Sequence, residues 1–267
     1  MKVIPFSKVF SIGTVYRAET NKSFIVRRVG TNSTTRTQII VEGRVCGEFI
    51  YNFAPLTCTS SNSLYPFELN DLYIVIPKGA RFEFSGESGK FVKLEGEILI
   101  HEYGEDLPAE FKSRYENQSK EYYTFLQGTY TSAAAASIPS GKVATVLDFT
   151  CPAGREYLLN SLFLAEASTS AGTIPRELLA HQILINDSPL DILDSTMGPF
   201  GIATIQTPNP PRADLNFFEY SLENMPIQLR EGTNLKVVLI NNGAAKTLAT
   251  GETLNSNVII VARYKIL

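Results

Sequence analysis

A chain of 267 residues is long enough for two ordinary domains, each with its own core, and 44% hydrophobic against 19% charged residues excludes a disordered chain. The formal net charge of -3, with Lys and Arg scattered rather than striped, excludes a surface built to neutralise a row of phosphates, so no direct nucleic acid partner is expected. No run approaches about eighteen consecutive apolar residues, which excludes a conventional membrane-spanning helix.

Residues 1–10 interrupt their apolar run with Pro5 and Lys8 and make a poor secretory signal, so the protein is expected to fold where it is made. After a turn at Gly13, every signal from Val15 to Tyr103 is strand or turn. In residues 91–100, Val92, Leu94, Ile98 and Ile100 take one face while Lys93, Glu95 and Glu97 take the other, the pattern of a strand packed on one side. Turns are supplied by Pro77 to Gly79 and by the Gly86 to Gly89 stretch. Short strands at this spacing predict a sandwich rather than a parallel sheet.

Residues 106–128 change character. Asp106 can cap, Pro108 suits a first turn, and Phe111, Tyr115, Tyr122 and Leu126 recur at helical spacing until Gly128. The pattern predicts a linker helix whose apolar stripe packs on one of the chain's own sandwiches. Residues 129–141, with Ala133 to Ala136, are small, polar and low in complexity, as in a flexible or surface-laid connection. β-signals then resume to the end. Two long interruptions stand out, 167–180 and 188–224, the second holding Pro208, Pro210, Pro211 and the run Phe217, Phe218, Glu219, Tyr220. Long loops in a compact domain are where function concentrates.

Four segments of the first half recur in the second, in order. Residues 18–29 match 151–162, placing Phe24 against Tyr157, Ile25 against Leu158 and Val26 against Leu159. Residues 38–43 match 182–187, 76–84 match 229–237, and 98–103 match 259–264. The offset only grows along the chain, which is the signature of one β-domain duplicated and given longer loops. The expected organisation is a first β-sandwich over 1–104, a helical and low-complexity linker over 105–141, and a second sandwich over 142–267. The expected class is all-β: two tandem jelly-roll-like antiparallel sandwiches joined by a short linker helix. Jelly-roll and immunoglobulin-like connectivity both give short alternating strands, and the sequence leaves that choice open.

Catalytic patterns are sparse. His101 and His181 stand at non-equivalent positions without the His and carboxylate cluster of a cupin metal site, and each is expected at a strand end with a backbone partner. No nucleophile elbow, phosphate loop or dinucleotide fingerprint occurs. Glu95 and Glu97 share a face as a glycosidase pair would, but Lys93 shares it too and nothing suggests burial, so a solvated face is expected. Asp187, Asp191 and Asp194 offer hard oxygens for calcium in a spacing that fits no recognised loop, and turn formation is the default reading. Cys46, Cys58 and Cys151 are expected reduced and partly buried, a Cys46–Cys58 disulfide being the alternative. Tyr51, Phe53, Tyr65, Phe217, Phe218 and Tyr220 are candidates for stacking on a glycan, although the chain has no Trp and loop aromatics more often plug cores or anchor interfaces. Asn21, Asn32 and Asn117 begin sequons that mean nothing without a secretory context. Neither an enzyme nor a cofactor is expected.

A duplicated antiparallel sandwich of this size, carried by the four paired segments and the closing run 257–264, resembles the double jelly-roll capsid proteins of icosahedral viruses. The phrase over 151–162 is similar to phrases in phage cement, neck and tail proteins. The resemblance implies a homotrimer whose six modules imitate a hexagonal tile, with the linker at its base and loops such as 188–224 contacting neighbours. Lys2 and Lys8 are the only basic residues among the first sixteen, which favours a cement or turret protein over a lipid-facing shell. The expectation is a bacteriophage virion structural protein, made in the host cytoplasm. It would be a capsid shell subunit or a surface cement or decoration protein that assembles symmetrically with itself and with other capsid proteins. Phe217, Phe218 and Tyr220 are the expected interface anchors, Pro208, Pro210 and Pro211 would stiffen their loop, and Ala133 to Ala136 would lie along a neighbour. The alternative is a receptor- or glycan-binding module of a phage tail or baseplate.

Overall fold

The structure, a computed structural model, describes residues 1–33, 35–49, 65–67, 73–168, 179–189, 218–221 and 227–267. They form two compact units. The first takes the described residues of 1–125 with Arg263–Ile266, the second those of 126–262 with Leu267.

The first unit holds β1 (Lys2–Ser11), β2 (Val15–Arg17), β3 (Lys22–Thr31), β4 (Thr37–Val41), β5 (Arg44–Phe49), β6 (Tyr65–Phe67), β7 (Ile74–Ile76), β8 (Arg81–Ser85) and β9 (Phe91–Ile100). Its pairings nest as in one long hairpin: β4 with β5, β3 with β6 and β7, β2 with β8, β1 with β9, all antiparallel. That hairpin is rolled up, so β9 also pairs β3 and β8 also pairs β4. Two sheets result, β1-β9-β3 continued by β6 and β7, and β2-β8-β4-β5. A rolled hairpin shared between two sheets is jelly-roll connectivity, not the immunoglobulin order.

Alternation along the strands fills the space between the sheets with Val26, Val29, Ile39, Val41, Phe84, Val92 and Leu94, all at most 1% exposed. At one end the Phe10 ring meets Tyr16, Phe82 and Phe84 with centroids 4.9, 5.4 and 5.6 Å away. Such aromatic pairs add about 0.5–1.5 kcal/mol each beyond their buried area.

The helix α1 (Ala109–Asn117) is shorter than the spacing predicts. Pro108 rather than Asp106 occupies its N-cap, with no side-chain cap bond. From Glu121 the chain is a strand. Tyr122 and Leu126 are four apart, a spacing that a period of 2 satisfies as well as a period of 3.6, and the aromatic-rich run there favours the strand. Phe111 and Tyr115 do pack on the chain's own sandwich, against Ile25, Val75 and Leu99, together with Leu107 and Tyr73. This explains why Leu99 is buried although it lies on the outer face of β9: at that end the strand is covered on both sides.

The second unit holds β10 (Glu121–Thr131, its first residues belonging to the first unit), β11 (Ser137–Ile138), β12 (Gly141–Thr150), β13 (Arg155–Ser168), β14 (Leu179–Ile185), β15 (Ser188–Pro189), β16 (Phe218–Ser221), β17 (Ile227–Leu229), β18 (Asn234–Asn241), β19 (Lys246–Thr247) and β20 (Leu254–Ile266). The sheets are β10-β20-β13 continued by β16 and β17, and β12-β18-β14-β15, with β11 and β19 as an added ribbon. The low-complexity connection is laid on the surface of this unit: the Ala135 N–H donates to the Glu252 carbonyl at 3.0 Å, and the Leu248 N–H to the Ala136 carbonyl at 2.9 Å.

The two units agree residue by residue. Phe24, Ile25 and Val26 of β3 face Ile76, Val75 and Ile74, while Tyr157, Leu158 and Leu159 of β13 face Leu229, Gln228 and Ile227. Ile39 faces Phe84 as Ile183 faces Val237. Val15, Tyr16 and Arg17 face Glu83, Phe82 and Arg81 as Asp148, Phe149 and Thr150 face Lys236, Leu235 and Asn234. The duplication therefore preserves register, and the added residues fall between strands. One insertion, between β18 and β20, carries β19 and has no counterpart in the tight β8–β9 connection.

Candidate functional site

Equivalent backbones make the positions where the two modules differ informative. The β4–β5 hairpin turns at Glu42 and Gly43 with φ of 49° and 75°, and the β14–β15 hairpin at Asn186 and Asp187 with φ of 50° and 63°. Positive φ at both central residues is the hairpin turn whose twist matches the strands. In both, the first turn residue extends the neighbouring ladder. The Glu42 N–H donates to the Arg81 carbonyl at 2.9 Å and the Asn186 N–H to the Asn234 carbonyl at 2.8 Å. In return the Arg81 N–H donates to the Glu42 carboxylate, and the Asn234 N–H to Asn186 Oδ1.

The side chains above this shared frame differ. In the second module Lys236 Nζ donates to Asp187 Oδ1 at 2.6 Å, and Asn234 Nδ2 donates to Asp148 Oδ1 at 2.8 Å and Thr150 Oγ1 at 3.1 Å. These bonds tie the turn and the strand ends of that module to one another. In the first module Gly43 stands in the place of Asp187, Glu83 in that of Lys236 and Val15 in that of Asp148. The result is an open depression of about 360 Å³ lined by Ile40, Glu42, Gly43, Arg81, Phe82 and Glu83. Its wall carries two carboxylates and the Arg81 guanidinium, which lies 3.5 Å from Glu83. These groups can form ion pairs and hydrogen bonds with a neighbouring surface.

Glu95 and Glu97 are half-buried and ion-paired rather than simply solvated. Glu95 is bonded by Lys93 and by Ser7 Oγ at 3.2 Å, and its carboxyl is held below the usual range, chiefly by the Lys93 hydrogen bond. Glu97 lies 3.5 Å from Arg27, whose guanidinium sits 4.3 Å from the centre of the Tyr73 ring. A carboxyl kept ionised in this way is poorly suited to donate a proton to a leaving group.

The ring of each histidine meets a serine hydroxyl. His101 Nε2 lies 2.8 Å from Ser23 Oγ and His181 Nε2 lies 2.7 Å from Ser256 Oγ, with all four residues at most 5% exposed. Only His101 is at a strand end; His181 is in the interior of β14. Neither serine is reachable by a substrate.

Cys46 is free and buried, as is Cys151, and burial pushes the Cys46 thiol up to about 11. Asp187 is held by Lys236 in a turn, while Asp191 and Asp194 lie outside the described residues. Among the described residues no three His, Cys, Asp or Glu side chains are grouped to hold a metal ion. Phe217, Pro208, Pro210 and Pro211 also lie outside them, as do Tyr51, Phe53 and Cys58. The backbones of Phe218 and Tyr220 are in β16, opposite Leu164 and Leu162. Ala133 is exposed and Ala136 half-buried. Asn32 is buried, and its Oδ1 accepts from the Phe91 N–H at 2.7 Å.

Sequence reasoning missed a buried carboxylate in the first module. Glu48, 7% exposed, is joined by Arg36 at 3.1 Å, by Gln38 Nε2 at 2.9 Å and by the Thr124 hydroxyl, and Arg36 also donates to the Phe125 carbonyl at 2.9 Å. No local pattern announces such a group, because Thr124 comes from a strand far along the chain.

No protein-family description matches the chain, and no curated protein does. Among solved structures it is similar to BuGH86 in complex with neoagarooctaose, at 9% identity over 98% of this chain and 34% of that chain, with a TM-score of 0.23. It spans about a third of that protein's length. It is also similar to the stem and receptor binding domain of the spike protein P1 from bacteriophage PM2, at 9% identity over 98% of this chain and 97% of that chain, with a TM-score of 0.16. A third likeness, at 9% identity and a TM-score of 0.16, is to a chain in the structure of the entire lipid-containing bacteriophage PM2, covering 98% of this chain and 73% of that one. Likeness at this level does not reach beyond the β architecture.

Proposed function

We propose that the protein is a virion structural component that works by symmetric self-assembly, as a capsid shell subunit or as a cement or decoration protein on the capsid surface. One observation carries this reading: the jelly roll is duplicated in register, and the two copies differ at equivalent surface positions, Gly43 against Asp187 and Glu83 against Lys236. A chain built this way offers two versions of one surface. Three copies around an axis then supply six similar modules without requiring six identical environments. Contacts that are modest singly become strong when repeated by symmetry.

The expected partners are further copies of this chain, as a homotrimer, and other capsid proteins. The β16 edge with Phe218 and Tyr220, the surface at Ala133, and the depression at Glu42 and Glu83 are the contacts to examine first. Light scattering of the purified protein, with negative-stain images of the peak, tests the reading. A trimer, or sheets with pseudo-sixfold tiles, is expected. A monomer that assembles neither alone nor with virion proteins overturns it, and glycan binding by that monomer would assign it instead to receptor recognition in a tail or baseplate.

A further inference from the structure

His101 closes a junction at which three segments meet. Its N–H donates to the Asn21 carbonyl at 2.8 Å, which fixes the end of β9 beside the start of β3. Its ring is 5% exposed, and Nε2 lies 2.8 Å from Ser23 Oγ, which itself accepts from the Lys78 N–H at 2.9 Å. A hydroxyl already accepting from Lys78 has its own proton to give, so the arrangement fits a neutral imidazole that accepts at Nε2. The other ring nitrogen, Nδ1, is buried without a hydrogen-bond partner.

The charges around the ring come from every segment of the junction. Lys78 donates through Nζ to the Glu105 carbonyl and lies 3.9 Å from Asp106. The N-terminal ammonium of β1 lies 3.1 Å from Glu105 and 3.9 Å from Glu102. Burial first and the Lys78 ammonium second hold the imidazole below its ordinary value, against the opposing pull of Glu105 and Asp106.

We propose that His101 is an acid-triggered latch on the segment 101–107 that leads into α1. Protonation adds the second ring hydrogen at Nε2, where it meets a Ser23 hydroxyl that is itself donating and already accepts from Lys78, and it adds a positive charge beside Lys78 and the N-terminal ammonium. The junction opens to relieve the contact at Nε2 and to bring solvent to the charged ring. Since Leu107 and Phe111 lie just beyond and cover Ile25, Val75 and Leu99, loosening this segment uncovers an apolar face of the first module. The sign follows from the direction of the shift. A base whose folded pKa is depressed contributes full stability above its unfolded value of about 6.5, and that contribution is lost as pH falls below it. The latch operates whether or not the chain assembles.

Hydrogen exchange at pH 7.5 and 5.5, corrected for the intrinsic rate, tests it on the full chain. Amides over 21–25 and 99–107 are expected to exchange faster at pH 5.5, by up to about tenfold, because that pH lies about one unit below the unfolded imidazole value. The response is expected to vanish in His101→Gln, which keeps a donor and acceptor near Ser23 and cannot charge, and to persist in His181→Gln. The same pH response in His101→Gln, or none in the wild type, overturns the proposal. Should His101→Gln fail to fold, histidine-labelled NMR of the wild type decides, because the chain has only two histidines and His181→Gln assigns them. A ring that titrates at or above the ordinary imidazole value overturns the latch.

Discussion

The Gln118 side chain takes the place of a strand beside Val75. Its Oε1 accepts from the Val75 N–H at 2.8 Å, and its Nε2 donates to the Val75 carbonyl at 2.9 Å. On its other side Val75 pairs with Ile25 of β3, so the amide satisfies the edge of β7 that no described strand covers. Unpaired strand edges template association with other chains, and an amide at the C-cap of α1 blunts this one. Gln118 is 1% exposed, so Gln118→Leu leaves both backbone groups of Val75 buried and unpaired. A loss of about 1–3 kcal/mol for each group is expected. Urea unfolding measures it, and a midpoint unchanged from wild type would refute the role.

Gly96 is required by close approach. A Cβ built there would stand 2.0 Å from the Ile25 carbonyl oxygen, a backbone atom that cannot rotate away. The cause is the bulge in β3 between Val26 and Arg28, which changes the register against β9 at this point. Gly96→Ala is expected to destabilise the first module by about 1–3 kcal/mol, the usual range for overpacking, and to appear as a lower Tm.

The internal duplication offers its own substitution. Glu42 holds a φ of 49°, costly for a long side chain, whereas its equivalent Asn186 holds a φ of 50° with an amide oxygen that bonds the Asn234 N–H at 2.9 Å. Asn tolerates this conformation far better than Glu and is favoured at this turn position. Glu42→Asn keeps an acceptor for the Arg81 N–H and is expected to stabilise by about 0.5–1 kcal/mol, read as a rise in Tm of a few degrees.

What the sequence made legible is the part of the fold that repeats. Ile39 opposite Phe84 and Ile183 opposite Val237 lie in segments whose alternation is the same because both fill the same gap between two sheets. The offset between them could thus be read before any pairing was known. Connectivity was not legible, since alternation records which face is buried but not which strand lies alongside. Residues 120–128 read as helix because Tyr122 and Leu126 satisfy both periods. Gln118, the Glu48 bond to Thr124 and the serine partners of the two histidines left no local trace, because each of these bonds joins residues 43 or more positions apart. Asp187 stands in a turn, as its sequence context indicates, and Lys236 bonds it there.

Glu95 makes the electrostatics of the outer face of β9 testable. Lys93 bonds its carboxylate, with Ser7 and Arg28 assisting, and its pKa lies below the ordinary carboxylate value. A group with a depressed folded pKa contributes stability that is present above its unfolded value of about 4.3 and is lost as pH falls through the folded one. Lys93→Met removes the largest cause. The Glu95 carboxyl is then expected to titrate at higher pH, followed by its side-chain carbon signal in NMR, and the acid limb of the unfolding curve should move the same way. The change in stability at pH 7 stays below about 1 kcal/mol, because the pair is near the surface and screened. A carboxyl that keeps its low value in Lys93→Met would mean that Ser7 and Arg28, not Lys93, hold it ionised.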